Sequence, residues 1–447
     1  MTIPRLPDPA YLTRLADGTV KQLNPFTGTQ VWTVPGRGNR PVGSPVADPV
    51  PVTAEAARRL CAFCEDRQLE TPPEKSRLVR GSAGPQILRG VLPGDLGRTT
   101  AQFRRVPNLF EILSYDYWHL GYGYELPRVA REHRDAYLAD PDGRAHVLAV
   151  ARAKALASGT SPADRAALDE DSQLAGTTGF FGGGHDVIVG RRHLVDGATD
   201  TGQLASSGTL TVVEHRDYLA LTLDALRDLY DTNRFARYVA VFQNWLRPAG
   251  ASFDHLHKQL VAIDERGVQT EQEIARLRAN LNLFNEAGPD YAAQHGLVLA
   301  DTEHAVAYAG FGHRYPTVEI VSRSATSEPW RQSEQEQTAM ADLIHAVHAA
   351  TGPDIPCNEE WHHRPVDVDV PMPWRVLVKW RVSTLAGFEG GTKINVNTIS
   401  PWALRDRLLP RLHELRAAGA IGADLRLGEE CDVRPCLLRY NPLLRLP

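Results

Sequence analysis

The chain has 447 residues and a mass of 49.3 kDa, roughly three times the ~150-residue prior for one domain, which excludes a lone small module. Hydrophobic residues make up 43% and charged residues 23%, enough for a buried core and too apolar for wholesale disorder. With 49 basic against 54 acidic residues and a net charge of -5, nothing favours a nucleic-acid or membrane partner. The longest apolar runs, such as Tyr238 to Phe242, fall far short of the ~20 residues of a membrane span. The start, MTIPRLPDPA, carries no apolar stretch behind a basic cap, so no secretory signal is expected and the cytoplasm is the expected compartment. Disulfides are not expected there, and of the five cysteines only Cys61 and Cys64 have metal-ligand spacing.

Along the chain, residues 1 to 55 are rich in Pro and Gly around a strand, Thr29 to Val34, entered from the turn Asn24-Pro25-Phe26-Thr27-Gly28. Glu125 to Asp171 turns Ala-, Arg- and Asp-rich with helical spacing, an excursion of about two helices. Gly182-Gly183-Gly184 then feeds a β-branched strand, His185 to Gly190. Thr209 to Val213 is expected as a strand, Leu219 to Phe235 as a helix and Tyr238 to Asn244 as a strand. Phe253 to Ile263 alternates as a strand would, which puts His255, His257 and Gln259 on one face.

An acidic helical stretch, Thr270 to Asn285, joins this half to a second with similar grammar. Strands are expected at Val298 to Tyr308, Thr317 to Val321 and Trp374 to Val382, and helices at Ser333 to Thr351 and Ser400 to Ala418. The expectation is an α+β protein of two related halves: residues 1–265, with a helical insertion near 120–175, and residues 290–447.

Cys61-Ala62-Phe63-Cys64 offers two thiolates at zinc spacing. Two half-buried core cysteines would read the same, whereas a redox pair lacks its strand-to-helix context. The remaining ligands of a tetrahedral site would come from His185, His193, His215 and His255. The most specialised stretch runs from Asn244 through Arg247-Pro248-Ala249-Gly250-Ala251-Ser252 to His255-Leu256-His257-Lys258-Gln259. Imidazoles at alternate positions followed by an amide can converge on one phosphoryl group, and the small residues before them admit backbone N–H groups to its oxygens.

This stretch resembles the active-site signature of the galactose-1-phosphate uridylyltransferases and their relatives, the nucleotidyltransferase branch of the histidine-triad superfamily. Further segments agree in order. Asn24 to Gly28 with Pro35 to Pro41 is similar to the family's opening strand and phosphate-binding arginines, Cys61-x-x-Cys64 follows, and Val106 to Leu113 resembles its nucleotide-binding P-N-x-F-x-x-L segment. Ala386-Gly387-Phe388-Glu389-Gly390-Gly391-Thr392 resembles the segment that closes over the transferred sugar.

The resemblance implies an antiparallel histidine-triad sheet with packed helices in each half, and a zinc-containing nucleotidyltransferase. His257 would attack the α-phosphorus of a nucleoside diphosphate sugar to give a covalent nucleotidyl-histidine, which a sugar phosphate or another phosphate acceptor then resolves. Its other ring nitrogen would donate to the His255 carbonyl. Gln259, standing where hydrolytic relatives carry a third histidine, can donate a hydrogen bond but not a proton, which favours transfer over hydrolysis. Arg37, Arg40, Asn108, Asn244 and Ser252 would bind nucleotide or phosphate, and Glu389 a sugar hydroxyl. Zinc would be held by Cys61, Cys64, His255 and a fourth ligand, with His215, ahead of a helix, preferred over His193. Inorganic phosphate acting on ADP-glucose or a dinucleoside polyphosphate is the alternative acceptor chemistry, and a non-catalytic zinc-containing nucleotide-binding module the alternative class. A homodimer is implied by resemblance.

Overall fold

A computed structural model describes residues 10–35, 43–44, 48–161, 163, 169–383 and 386–444. It divides into two compact units, one of Val46–Asn244 with Ser252–Glu265, the other of Met1–Pro45, Trp245–Ala251 and Arg266–Pro447. Among the described residues no helix is long and apolar enough to cross a membrane.

Three short strands open the chain: β1 (Leu12–Arg14), β2 (Val20–Leu23) and β3 (Gln30–Thr33). The turn between β2 and β3 is built by Asn24, whose Oδ1 accepts from the backbone of Phe26 and Thr27 at 3.0 and 2.9 Å, an Asx turn that leaves Gly28 at φ +75°. These strands belong to the same unit as the C-terminal half.

The first-half sheet contains β4 (Ser76–Gly81), β5 (Gly84–Arg89), β6 (Ala101–Pro107), β7 (His185–Gly190), β8 (Tyr238–Trp245) and β9 (His257–Ile263), in the order β8-β9-β7-β6-β4-β5, all antiparallel. Between β6 and β7 the helical excursion, among the described residues, includes Tyr115–Tyr122, Arg128–Ala139, Pro141–Ala157 and Glu170–Ala175 and closes on a single turn, Gly179–Gly182. The glycine run that follows is steric in origin. A Cβ on Gly182 would lie 2.1 Å from Leu126 Cδ2, and one on Gly183 2.0 Å from Glu111 Oε1.

In the other unit β10 (Val298–Asp301), β11 (Ala305–Ala309), β12 (Thr317–Ser322), β13 (Cys357–His362), β14 (Arg375–Trp380) and β16 (Arg426–Leu427) run in the order β16-β10-β11-β12-β14-β13, while β15 (Ile394–Asn397) pairs in parallel with β3. The two sheets repeat one topology. In the first, β7, the helix Val212–Thr232, β8 and β9 follow in sequence and β9 inserts between β8 and β7; in the second, β12, the helix Glu334–Thr351, β13 and β14 do the same. The fold is α+β, with an antiparallel sheet and packed helices in each half.

Several sequence expectations are corrected. Thr209 to Val213 is not a strand: Ser207–Thr209 is a 3-10 turn, and Thr211 caps the helix that starts at Val212, exchanging hydrogen bonds with Glu214 at 3.2 and 2.9 Å. This capping box outweighs the local β-branched composition. Val298 to Tyr308 is a hairpin rather than one strand, because Thr302 Oγ1 accepts the His304 and Ala305 N–H groups and turns the chain. The 270–285 stretch is two helices, Val268–Ala279 and Leu283–Glu286, interrupted at Asn280. His255 lies just before its strand, which begins at His257.

Candidate active site and metal centre

Strand β9 is locked against β7 in a register that sets Val189 opposite His257 and Val187 opposite Gln259. His257 and Gln259 therefore share a face, while Lys258 points the other way, wholly buried with its ammonium 4.6 Å from the Tyr218 ring centre. On the other flank Phe242 of β8 sits opposite Gln259. Continuing that register brings half-buried Asn244 to the level of His257.

His257 is 5% exposed, and its Nδ1–H donates to the His255 carbonyl at 2.8 Å. Burial lowers its pKa, opposed by that hydrogen bond, so the ring is neutral and its Nε2 carries the lone pair. Gln259 is fixed by a second network. The Ile112 N–H donates to His185 Nδ1 at 3.2 Å, which puts the His185 proton on Nε2, from where it is donated to Gln259 Oε1 at 3.0 Å. Asn108 Nδ2 donates to the same oxygen at 3.3 Å, and its own Oδ1 accepts the Phe110 N–H at 2.9 Å. With Oε1 doubly held, the NH₂ of Gln259 is the end left to meet a phosphoryl oxygen. His185, one of the histidines available for zinc but expected as a structural or pocket histidine, is held in this network, and its contact with Gln259 has no signal short of the β7–β9 register.

Beside this face four side chains gather, Cys61, Cys64, His193 and His255, their donor atoms all within 4.8 Å of one another. The two sulfurs are 3.8 Å apart, Cys61 Sγ lies 3.4 and 3.5 Å from His193 Nδ1 and His255 Nδ1, and Cys64 Sγ 3.5 and 3.7 Å from the same atoms. A tetrahedron with zinc–sulfur and zinc–nitrogen bonds of usual length has S···S edges of about 3.8 Å and S···N edges of about 3.5 Å, so the donor set has the size of a zinc site.

The outer contacts agree. His255 Nε2–H donates to the Gly190 carbonyl at 2.6 Å, which turns the Nδ1 lone pair toward the sulfurs. Burial lowers the His255 pKa and keeps the ring neutral, as a ligand must be. The hydrogen bond from Cys61 pulls the Cys64 thiol down, helped by His193 and His255, and the same pairing, with burial, raises that of Cys61. A divalent metal between them would let both ionise.

The fourth member is His193, not His215. His215 is fully buried in the first turn of the helix Val212–Thr232, its ring 6.2 Å from that of Tyr218. His193 sits in the loop after β7, where the Ala205 N–H donates to its carbonyl at 3.0 Å and neighbouring Arg192 is tied to Glu214 at 2.6 Å. Both residues follow β7 and lie within a short stretch around the start of the same helix, His193 before it and His215 in its first turn, so chain order alone does not separate them.

Ser252 is exposed in the loop before β9. Glu389 belongs to the other unit. The segment around it is a short helix, Gly387–Thr392, and its carboxylate accepts the Ala386 N–H at 3.1 Å as a helix cap. Arg37 and Arg40 lie outside the described residues.

Over 176 residues, 37% of this chain and 49% of the relative, the sequence is 26% identical to the ADP-glucose phosphorylase of Arabidopsis thaliana; the chain thus spans about half the length of that curated relative. Among solved structures, an ADP-glucose phosphorylase from Arabidopsis thaliana with bound ADP-glucose superposes with a TM-score of 0.54 at 18% identity, covering 87% of this chain and 97% of that one. A GALT-like protein from the same plant gives a TM-score of 0.53 at 18% identity over the same shares. These likenesses show that the chain shares the fold of these ADP-glucose phosphorylase and GALT-like structures. Over residues 15–440, nearly its whole length, the chain matches a family model, and it belongs to the family described as a domain of unknown function, DUF4921.

Proposed function

We propose that the protein is a nucleotidyltransferase of the histidine-triad superfamily that works through a covalent nucleotidyl-histidine at His257. The observation that carries this reading is the neutral His257 ring, held by the His255 carbonyl with Nε2 as its nucleophilic atom. In the first step Nε2 forms a bond to the α-phosphorus of a nucleoside diphosphate sugar while the bond to the bridging oxygen breaks and sugar phosphate leaves. The positive charge that develops on the ring is met by the carbonyl already facing Nδ1–H. The leaving group is a phosphate, which needs no proton, so an amide at position 259 suffices. Its NH₂ steadies a phosphoryl oxygen without activating water. In the second step a phosphate oxygen of the acceptor attacks the same phosphorus and His257 departs.

Asn108, Asn244 and Ser252 would bind the nucleotide phosphates together with Arg37 and Arg40, exposed Phe110 and Ile112 beside Asn108 offer an apolar surface for a base, and Glu389 would contact the sugar. Cys61, Cys64, His193 and His255 would hold zinc. Four protein ligands make a closed structural site, which fixes the loop leading into β9 and takes no part in the chemistry.

For donor and acceptor, the ADP-glucose phosphorylase likeness supports ADP-glucose and inorganic phosphate; a hexose 1-phosphate acceptor, as in uridylyl transfer, is the second reading. The test is to incubate the protein with ADP-glucose or UDP-glucose labelled at the α-phosphate, without acceptor, and follow the label on the chain by intact mass. The expected result is a nucleotidylated protein discharged by inorganic phosphate or by galactose 1-phosphate, whichever is the acceptor. No labelled protein with any nucleotide sugar that turns over would overturn the covalent route.

A further inference from the structure

The second half contains a polar cavity of about 320 Å³, at the small end of the ~300–1,000 Å³ range of small-molecule pockets. Its floor is one face of β13 and β14. Alternate residues Asn358, Glu360 and His362 on one strand lie against Leu377, Lys379 and Arg375 on the other. Because β14 inserts between β13 and β12 as β9 does between β8 and β7, the two registers can be aligned. His185 pairs with Val261 and Val189 with His257 in the first half; Thr317 pairs with Lys379 and Val321 with Arg375 in the second. Arg375 thus occupies the topological position of His257, and the face that carries the proposed nucleophile in one half carries cations in the other.

These cations are not equally neutralised. Arg375 is buried between Glu273 at 2.7 Å and Glu319 at 3.5 Å, and Glu319 also accepts from Tyr308 at 3.2 Å and pairs with His313 at 2.8 Å. Lys379 is paired with Glu360 at 2.5 Å; burial alone would raise that carboxyl, but Lys379 and His362 pull it well below its usual range. Two guanidiniums remain. Arg314 and Arg381 each stack on the ring of Tyr315, 4.8 Å from its centre, and among the described residues neither has a carboxylate partner.

Arg381 is also held in place. Its Nη1 donates to Asn358 Oδ1 at 2.6 Å, Asn358 Nδ2 in turn donates to the Ala249 carbonyl at 2.8 Å, and its backbone N–H donates to Pro356 at 2.7 Å. Arg381 Nε is nevertheless a buried donor without a hydrogen-bond partner, whereas His362 Nε2 in the same lining faces Glu360 Oε2 at 3.7 Å. An oriented guanidinium fork with an unmet donor, beside a second unpaired guanidinium, matches the planar, multi-point recognition of a phosphate group. The hydroxyls of Thr27 and Thr29, 2.9 Å apart on the cavity rim, add further donors.

We propose that this cavity is a second anion site, distinct from the His257 face, that binds a phosphate group, either as inorganic phosphate or as a small phosphate monoester. The proposal is independent of the reaction assigned to His257. It is tested by titrating the full chain calorimetrically with inorganic phosphate, with glucose 1-phosphate and with glucose, while amide hydrogen exchange reports where binding occurs. Expected is slower exchange over Gly310 to Tyr315 and over β14 with at least one phosphate and not with glucose. R381Q should weaken that binding about ten-fold or more with an unchanged melting temperature, and R381K should restore part of it. Protection by inorganic phosphate alone would identify the free ion as the ligand; protection by glucose 1-phosphate alone would identify the monoester. Should R381Q fail to fold, R314Q, at a half-buried position, reads the same loss. No protection of these segments by either phosphate at millimolar concentration, or protection unchanged in R314Q/R381Q, would overturn the site.

Discussion

His257 has one nitrogen to react with, because the other is committed to the His255 carbonyl. In the proposed mechanism two histidines separated by one residue have separate duties, and substitution should divide them. His257→Gly should abolish nucleotidylation while leaving zinc content and melting temperature nearly unchanged, since its ring is not among the four metal donors; loss of zinc in this variant, read by elemental analysis, would refute the division. Gln259 depends on a neighbour in the same way. In His185→Ala the amide loses the donor that orients it, and the rate of nucleotidyl transfer should fall by roughly 10²-fold, with donor affinity changed much less. Glu111 supplies a pH signature of the fold. Half-buried, with its Oε1 enclosed against Gly183, its carboxyl is pushed up by desolvation to about 7. Its folded pKa exceeds the unfolded value, so the fold binds the proton more tightly and stability falls as pH rises from about 4.5 to about 7, then levels off. Glu111→Gln keeps the acceptor for the Tyr115 N–H and should flatten this dependence, stabilising the protein above pH 7 by on the order of 1–3 kcal/mol in chemical denaturation. An unchanged slope would show that Glu111 is ionised in the fold.

Among the elements, the loop between β7 and the helix Val212–Thr232 decides which histidine meets the cysteines. Thr211 and Glu214 start the helix before His215, which draws that ring into the core, while the Ala205 to His193 hydrogen bond and the Arg192 to Glu214 pair hold His193 out toward Cys61 and Cys64. His193→Ala should therefore lose the metal under mild chelation. His215→Ala should keep it, and should lower stability by about 2–4 kcal/mol through the cavity left by a buried ring. Elemental analysis with thermal melts separates the two, and the reverse pattern would restore His215 as the ligand. The glycine run before β7 belongs to this scale too: it is required by how closely Leu126 and Glu111 approach the backbone.

In the whole molecule, one strand–helix–strand–strand unit is used twice and loaded differently. The first copy keeps imidazole and amide on its inserted strand; the second has arginine, leucine and lysine there, so the proposed nucleotidyl-histidine belongs to the first copy. Zinc removal should report on the first unit above all. Prolonged chelation should lower the melting temperature and weaken nucleotidylation together, because the loop carrying His255 leads directly into His257; a chelated protein with full activity and unchanged melting temperature would deny the metal its structural role. Family resemblance also implies a homodimer, which light scattering of the purified chain would check.

What the sequence determined by itself was whatever depends on local chemistry. The His257-x-Gln259 spacing makes the two side chains share a face once the segment is a strand, the C-x-x-C pair brings two sulfurs within one turn, and apolar periodicity marks the long helices. Only the tertiary structure decided what depends on partners far along the chain. The choice of His193 over His215 rests on a capping box and a loop pinned by an ion pair. The hold of His185 and Asn108 on Gln259 comes from strand register, and the joining of Gln30 to Ile394 in a parallel pair of strands leaves no trace in either segment. The change of Thr209 to Val213 from expected strand to helix start has the same origin: β-branched composition is a weak bias, and two hydrogen bonds that satisfy a helix terminus outweigh it.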